Sequence, residues 1–222
     1  MMDKSKVGSL FSGIGGIDLG VEQAGFEIAW ANDMDASACK TYRHNFPNTH
    51  LIEGDVRDVD PRTLPDIDVL VAGFPCQPFS IMGYRRGLKD PRGNLFFEIS
   101  RFIDIKRPRV VFLENVRNLM EHDNGKTSLV IYNTLAQFGY SVKYKVINAT
   151  DISIPQTRAR IFIVAFLNIE DCDRFAFPEA MPLEASVEDI IDRSVKHDDI
   201  YYYGSSSRYF KELDAKIVGK TG

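Results

Sequence analysis

The chain has 222 residues, 44% hydrophobic and 26% charged, with a net charge of −4, which suits one sizeable α/β domain and part of a second. The acidic total argues against a wholly basic nucleic-acid binder and leaves room only for a local basic surface. No apolar run approaches membrane-spanning length, and Cys39, Cys76 and Cys172 are too far apart for a zinc or c-type haem spacing, so a reducing compartment, the cytoplasm, is expected.

The first element is a strand over Lys6–Phe11, running into Ser12-Gly13-Ile14-Gly15-Gly16. An amphipathic helix is expected next, with Ile17, Leu19, Gly20, Val21 and Ala24 as its apolar side and Gly25 as its stop. A glycine-rich turn between strand and helix either lets a ligand approach the backbone closely or is simply a tight turn. It lacks the dinucleotide spacing and the lysine of a phosphate loop. A second strand over Glu27–Ala31 ends in Asn32-Asp33-Met34-Asp35. There Asp33 is placed to grip a ribose and Asp35 to cap a helix from Ala36 to about Asn45. Leu51-Ile52-Glu53 and Gly54-Asp55-Val56 give a short third strand with another acidic end. Three successive strand ends, one glycine-rich and two acidic, describe a pocket for a nucleoside-type cofactor.

Val69-Leu70-Val71-Ala72 reads as a buried strand broken by Gly73, after which Pro75 and Pro78 stiffen a turn holding Cys76. Cys76 is either a nucleophile or a small packing residue. Ile81 to Gly93 carries three glycines and Arg85, Arg86, Lys89 and Arg92. This is either a lid over a polyanion or an ordinary solvated loop. A helix is expected over Asn94–Ile105 and a buried strand over Val110–Leu113, ending in Glu114. A carboxylate at the end of an apolar strand is costly to ionise, which suits a general acid or neutral donor; capping of the next turn is the alternative. A helix over Lys126–Phe138 and strands over Ser141–Ile147 and Ile161–Phe166 follow, the last preceded by Arg158 and Arg160, which point to one side. One arginine can hold a ligand carbonyl and the other a carboxylate, or the pair is only an edge-strand charge pattern. After residue 170 the texture turns irregular, with too little chain for a second core.

Together these residues resemble the DNA (cytosine-5)-methyltransferases over residues 6 to 167. Phe11 to Gly16 resembles the family's cofactor loop, Asn32-Asp33 its ribose-binding pair and Gly54-Asp55-Val56 its adenine-contacting segment. Gly73 to Ser80 resembles the nucleophile motif, and Asp90 to Phe96 the segment after the lid. Glu114-Asn115-Val116 and Gln156 to Arg160 resemble the base-contacting motifs, so seven motifs stand in family order.

The resemblance implies an α/β, Rossmann-like methyltransferase fold with a mostly parallel sheet, S-adenosylmethionine as donor and a flipped-out cytosine in double-stranded DNA as acceptor, without a metal. It implies catalysis by Cys76, Glu114, Arg158 and Arg160. Cys76 would be the nucleophile and Glu114 would act at ring nitrogen 3; Arg160 would hold the base carbonyl and Arg158 would brace the site. It implies a cofactor pocket drawn from Phe11, Ser12, Gly13, Ile14, Gly15, Gly16, Asp33, Met34, Asp55, Val56, Pro75 and Leu95. DNA contacts would come from Ser80, Arg85, Arg86, Lys89 and Arg92. Residues 1–170 would form the catalytic domain and 171–222 the start of a target-recognition region. The family's remaining recognition region and final cofactor motif are not seen in the sequence, so a truncated form or a second polypeptide carrying them is expected. The alternatives are a tRNA cytosine methyltransferase, a non-catalytic subunit on the same fold and a nicotinamide-dependent oxidoreductase.

Overall fold

The computed structural model describes residues 4–75 and 95–194. Its strands are β1 (Lys6–Leu10), β2 (Glu27–Asp33), β3 (His50–Glu53), β4 (Val69–Gly73), β5 (Val110–Val116), β6 (Ser141–Asn148) and β7 (Ala159–Phe166). They form one sheet in the order β3-β2-β1-β4-β5-β7-β6. The first five pair in parallel, and β7 runs antiparallel between β5 and β6. The helices are α1 (Gly16–Gln23), α2 (Ala36–Asn45), α3 (Leu95–Lys106), α4 (Lys126–Gln137) and α5 (Ile169–Arg174).

Local chemistry explains the elements. β4 is apolar on both faces, as a central parallel strand must be, and Leu70, Val71 and Ala72 are all buried. α2 begins where the Asp35 carboxylate accepts from the Ala38 amide at 2.8 Å and ends at Phe46, before Pro47. On α3, the stripe Phe96, Ile99, Phe102 and Ile103 packs with Ile131 and Leu135 of α4 onto Trp30, Leu70, Leu113 and Ile163. Each such side chain contributes about 1.5–3 kcal/mol on burial. The Trp30 ring fills the place a side chain at Gly8 would take; a Cβ there would lie 2.2 Å from it.

The opposite face is covered less completely. Val7, Ile28 and Val71 form a small cluster with Ile17, Val21 and Phe26. Beyond it an apolar cleft of about 1060 Å³ runs between α1 and the β4–β5–β7 surface, floored by Val69, Val110, Phe112 and Phe162. The apolar side expected of α1 differs in the structure. Leu19 is 51% exposed and Asp18 is fully buried, because the helix turns Asp18 toward α2 while Ile17, Gly20, Val21 and Ala24 border the cleft.

The stretch after α5 is irregular in sequence but ordered in direction. The ammonium groups of Lys143 and Lys145 donate to the carbonyls of Phe175 and Pro178 at 2.7 and 2.8 Å. The Met181 amide then donates to the Asp151 carbonyl at 2.8 Å. Residues 175–184 therefore climb alongside β6 from its start to beyond its end. The chain divides into two compact units, Met1–Glu184 and Ala185–Gly222. In the second, the described residues include a short helix, Val187–Ile190, with a Ser186–Asp189 capping box.

Candidate active site

In a parallel sheet, ligands bind beyond the carboxyl ends of the strands where strand order reverses, here between β1 and β4. The turn after β1 is shaped for that position. Gly13 and Gly15 take φ of 56° and 93°, and Phe11 is also left-handed at 55°. That conformation in a bulky residue costs about 1–3 kcal/mol. Among the described residues, a Cβ at Gly13 or Gly16 would meet nothing within 4 Å, so these leave open space over the turn. Ile14 is exposed at its tip.

The acidic strand ends are engaged with the protein itself. Asp33 accepts from the Gly13 and Asp35 amides, both at 2.8 Å, tying the glycine turn to the start of α2. Buried Asn32 donates to the carbonyls of Ile52 and Gly54 at 2.9 and 3.0 Å, and its own carbonyl accepts from the Ser12 amide at 3.1 Å. Met34, 68% exposed, stands beside Asp33. Asp55 caps the turn that begins with buried Val56, and both its oxygens are held by Arg57, Nε lying 2.9 Å from Oδ1. These hydrogen bonds hold the Asp55 carboxyl below the usual carboxylate range. Oδ1 accepts from both the Arg57 amide and its Nε, so the further lone pair for a ligand is on Oδ2. Arg101 donates to the carbonyls of Val56 and Val59, both at 2.8 Å, and so fixes the same turn from α3.

At the other side of the switch point, Gly73 is in register with Glu114. A Cβ on Gly73 would lie 3.5 Å from Glu114 Oε2, so the chain leaving β4 passes against that carboxylate. Buried Asn115 donates to the Phe74 carbonyl at 2.8 Å, anchoring this chain just before exposed Pro75. Glu114 borders the apolar cleft but is not left alone there; it pairs with Arg160, Nε to Oε1 at 2.9 Å. The Arg160 Nη1 donates to the Ala159 carbonyl at 2.9 Å, which leaves Nη2 without a partner among the described residues. Arg158 is exposed; its amide donates to Asn148 Oδ1 at 2.8 Å, and its guanidinium has no partner among the described residues. The ion pair with Glu114 is thus made by Arg160, not Arg158.

Cys76, Ser80, Arg85, Arg86, Lys89 and Arg92 lie outside the described residues, and Leu95 is the first residue after them. Cys39 and Cys172 are buried packing cysteines, and burial pushes the Cys39 thiol up. Among the described residues no group of three or more His, Cys, Asp or Glu could hold a metal ion, and no helix is long and apolar enough to cross a membrane. Sequence reasoning placed Asn32 in a ribose-binding pair and Asn115 in a base-contacting motif, gave neither the backbone-anchoring part the structure shows, and assigned no part to Arg101. The one signal available was an amide at the end of an apolar strand, since Arg101 reads as an ordinary surface residue of α3.

A family model described as C-5 cytosine-specific DNA methylase matches residues 5–218. The chain is 51% identical over 201 residues to the type II methyltransferase M.Bsp6I of Bacillus sp. (strain RFL6), covering 89% of this chain and 64% of that protein. It is 44% identical over 190 residues to the type II methyltransferase M.HhaI of Haemophilus parahaemolyticus, covering 85% and 58%. The chain therefore spans a little over half the length of these curated relatives. Among solved structures, a mutant of Spodoptera frugiperda DNMT2 superposes with a TM-score of 0.69 at 24% identity, covering 87% of this chain and 61% of that one. The Entamoeba histolytica methyltransferase EhMeth superposes with a TM-score of 0.66 at 24% identity, covering 88% and 62%. These likenesses establish the Rossmann-like methyltransferase fold.

Proposed function

The chain belongs to the C-5 cytosine-specific DNA methylase family, and from that premise we propose that it carries the cofactor-binding and catalytic part of a restriction-modification DNA methyltransferase. The reaction is methylation of carbon 5 of a cytosine flipped out of double-stranded DNA. What carries this reading is the Glu114–Arg160 ion pair at the strand ends, set against Gly73, three residues before Cys76.

The site suits S-adenosylmethionine. The turn from Phe11 to Gly16 leaves room above Gly13 and Gly16, and Asp33 and Asp55 keep acceptor capacity for ribose hydroxyls and an adenine amine. Met34, Val56, Pro75 and Leu95 would complete the pocket. When bound, S-adenosylmethionine supplies the methyl group as an electrophile.

The chain's own residues prepare the base. The Cys76 thiolate would add to carbon 6, and Glu114 would share a proton with ring nitrogen 3, so that electron density gathers at carbon 5. Arg160 keeps Nη2 for the carbonyl oxygen at position 2 while its Nε steadies Glu114. Arg158 stands at the rim. After methylation the carbon 5 proton leaves to a base, the bond between Cys76 and carbon 6 breaks, and the thiolate is regenerated. Ser80, Arg85, Arg86, Lys89 and Arg92 would meet the DNA, and closure of that segment would offset the few kcal/mol that unstacking the base costs.

The reading includes a dependence on further polypeptide, in a second chain or a longer one, for target recognition. The apolar cleft along α1 supports it, since a floor of Val69, Val110, Phe112 and Phe162 is poorly suited to water.

The test is covalent trapping on duplex DNA containing 5-fluorocytosine, with cofactor and any completing polypeptide present. An adduct is expected with the native chain and none with Cys76→Ser; an adduct in that variant identifies another nucleophile. Labelled methyl transfer by the 222-residue chain alone should be weak, and robust sequence-specific turnover would remove the need for a completing part. Preference for tRNA over duplex DNA would reassign the substrate.

A further inference from the structure

Asp18 is fully buried, and the chemistry above gives it no part. It lies in the first turn of α1, directly after the glycine turn. Its Oδ2 accepts from the Tyr42 hydroxyl of α2 at 2.7 Å, and its Oδ1 has no hydrogen-bond partner. From β1 the Ser9 hydroxyl favours the charged carboxylate, and from α1 itself Glu22 opposes it. Burial is the larger influence and raises the Asp18 carboxyl above its usual range. The Tyr42 hydroxyl is pushed up too, so it remains a donor. A buried carboxylate with one firm donor is a poor device for stability, because desolvation offsets most of what the hydrogen bond returns.

It is well placed as a device for position. Tyr42 belongs to the carboxyl end of α2, which with its cap Phe46 grips the glycine turn at two points and the first turn of α1 at a third. The Asn45 amide donates to the Ile14 carbonyl at 3.3 Å. The Phe46 ring, 4.6 Å from the Tyr42 ring, closes on Gly15 so tightly that a Cβ there would lie 2.1 Å from it. Tyr42 then holds Asp18. Asp33 ties Gly13 to the other end of α2. The turn is thereby framed by one helix.

We infer that the Asp18–Tyr42 hydrogen bond is a positioning element for cofactor binding, holding the turn from Gly13 to Gly16 in its open form by locking α1 to α2. The inference rests on the cofactor reading above. Without the Tyr42 donor, an ionised Asp18 cannot stay in its buried place, and the turn shifts with it; a protonated Asp18 can stay.

The experiment uses the 222-residue chain, with S-adenosylhomocysteine as probe in calorimetry. Tyr42→Phe should weaken binding about ten-fold at about pH 8.5, and the loss should shrink as the pH is lowered through the acid range. Asp18→Asn keeps an acceptor for Tyr42 and should bind within about two-fold of the native chain. The Tyr42→Phe/Asp18→Asn pair should lose the pH dependence. Amide exchange without ligand gives an independent reading: Tyr42→Phe should speed exchange at Gly15 and Leu19, whose amides bond within this turn, relative to α3. A loss that does not shrink as the pH falls would overturn the inference, as would unchanged exchange or a ten-fold loss in Asp18→Asn. Failure of the native chain to bind the probe would instead count against the cofactor reading, and the exchange comparison would still decide the role of Tyr42.

Discussion

Glu114 and Arg160 meet diagonally across the antiparallel β5–β7 pair. Glu114 is in register with Phe162 and Val116 with Arg160, so the two charges stand on one face of the sheet, two positions apart. Because β7 runs against its neighbours, its beginning arrives where the other strands end. The arginines that precede a strand thus reach a carboxylate that terminates one.

The two arginines should separate in stability. Arg160→Leu leaves a half-buried carboxylate without its cation and should cost about 1–3 kcal/mol in urea unfolding. Arg158→Leu, at an exposed site, should stay within about 0.5 kcal/mol. A double-mutant cycle of Arg160→Leu with Glu114→Gln should show coupling of at least about 0.5 kcal/mol. Equal effects of the two arginine variants would contradict the pairing.

Asn115 holds the chain that leads to Cys76. Asn115→Ala leaves the Phe74 carbonyl without its donor and should cost about 1–3 kcal/mol. Asn115→Asp should be similarly destabilising near neutrality, since an ionised carboxylate would face that carbonyl. Its carboxyl should therefore titrate above the ordinary range, so stability is regained as the pH falls and lost as it rises through the folded value. Chemical unfolding across the acid range checks this, and a flat profile would refute it.

Gly15→Ala combines a left-handed backbone with a collision against Phe46. It should lower stability by more than about 1 kcal/mol and weaken binding of S-adenosylhomocysteine. Adding Phe46→Leu should recover part of both, because it gives the methyl group room. No recovery in thermal melts or calorimetry would place the whole cost in the backbone.

Asp55 supplies a pH prediction of opposite sign. Arg57 holds its carboxyl below the usual value, so the contribution is present above the ordinary carboxylate pKa and is lost as pH falls through the depressed one. Arg57→Met should therefore be destabilising at neutral pH, by no more than about 1 kcal/mol at this partly exposed pair. Its difference from the native chain should vanish in strong acid and shrink in salt. A difference that persists in acid would assign the effect to packing of the Arg57 stem.

Much of this site could be read from local pattern. The glycine turn, the acidic strand ends and Glu114 each follow a short apolar run, and a strand that must end leaves its last residues at one edge of the sheet. The rest depended on partners distant in sequence. Nothing local distinguishes Arg158 from Arg160; the register with β5 does. Nothing in the helix pattern of α1 marks Asp18 as buried, because its donor lies 24 residues away. The free-looking carboxylates of Asp33 and Asp55 proved engaged for a related reason: backbone amides and a neighbouring guanidinium are invisible in a residue-type pattern.

The path of residues 175–184 along β6 has a consequence for reach. β7 ends at the edge of the sheet far from Glu114, and a chain continuing from there would have to recross eight residues of strand, about 26 Å. The lysines of β6 and the Met181–Asp151 hydrogen bond bring the backbone across that distance in fixed form. The backbone at Glu184, whose amide donates to the Ser153 hydroxyl at 3.2 Å, therefore stands beyond the carboxyl end of β6, at the end of the sheet where Arg160 meets Glu114.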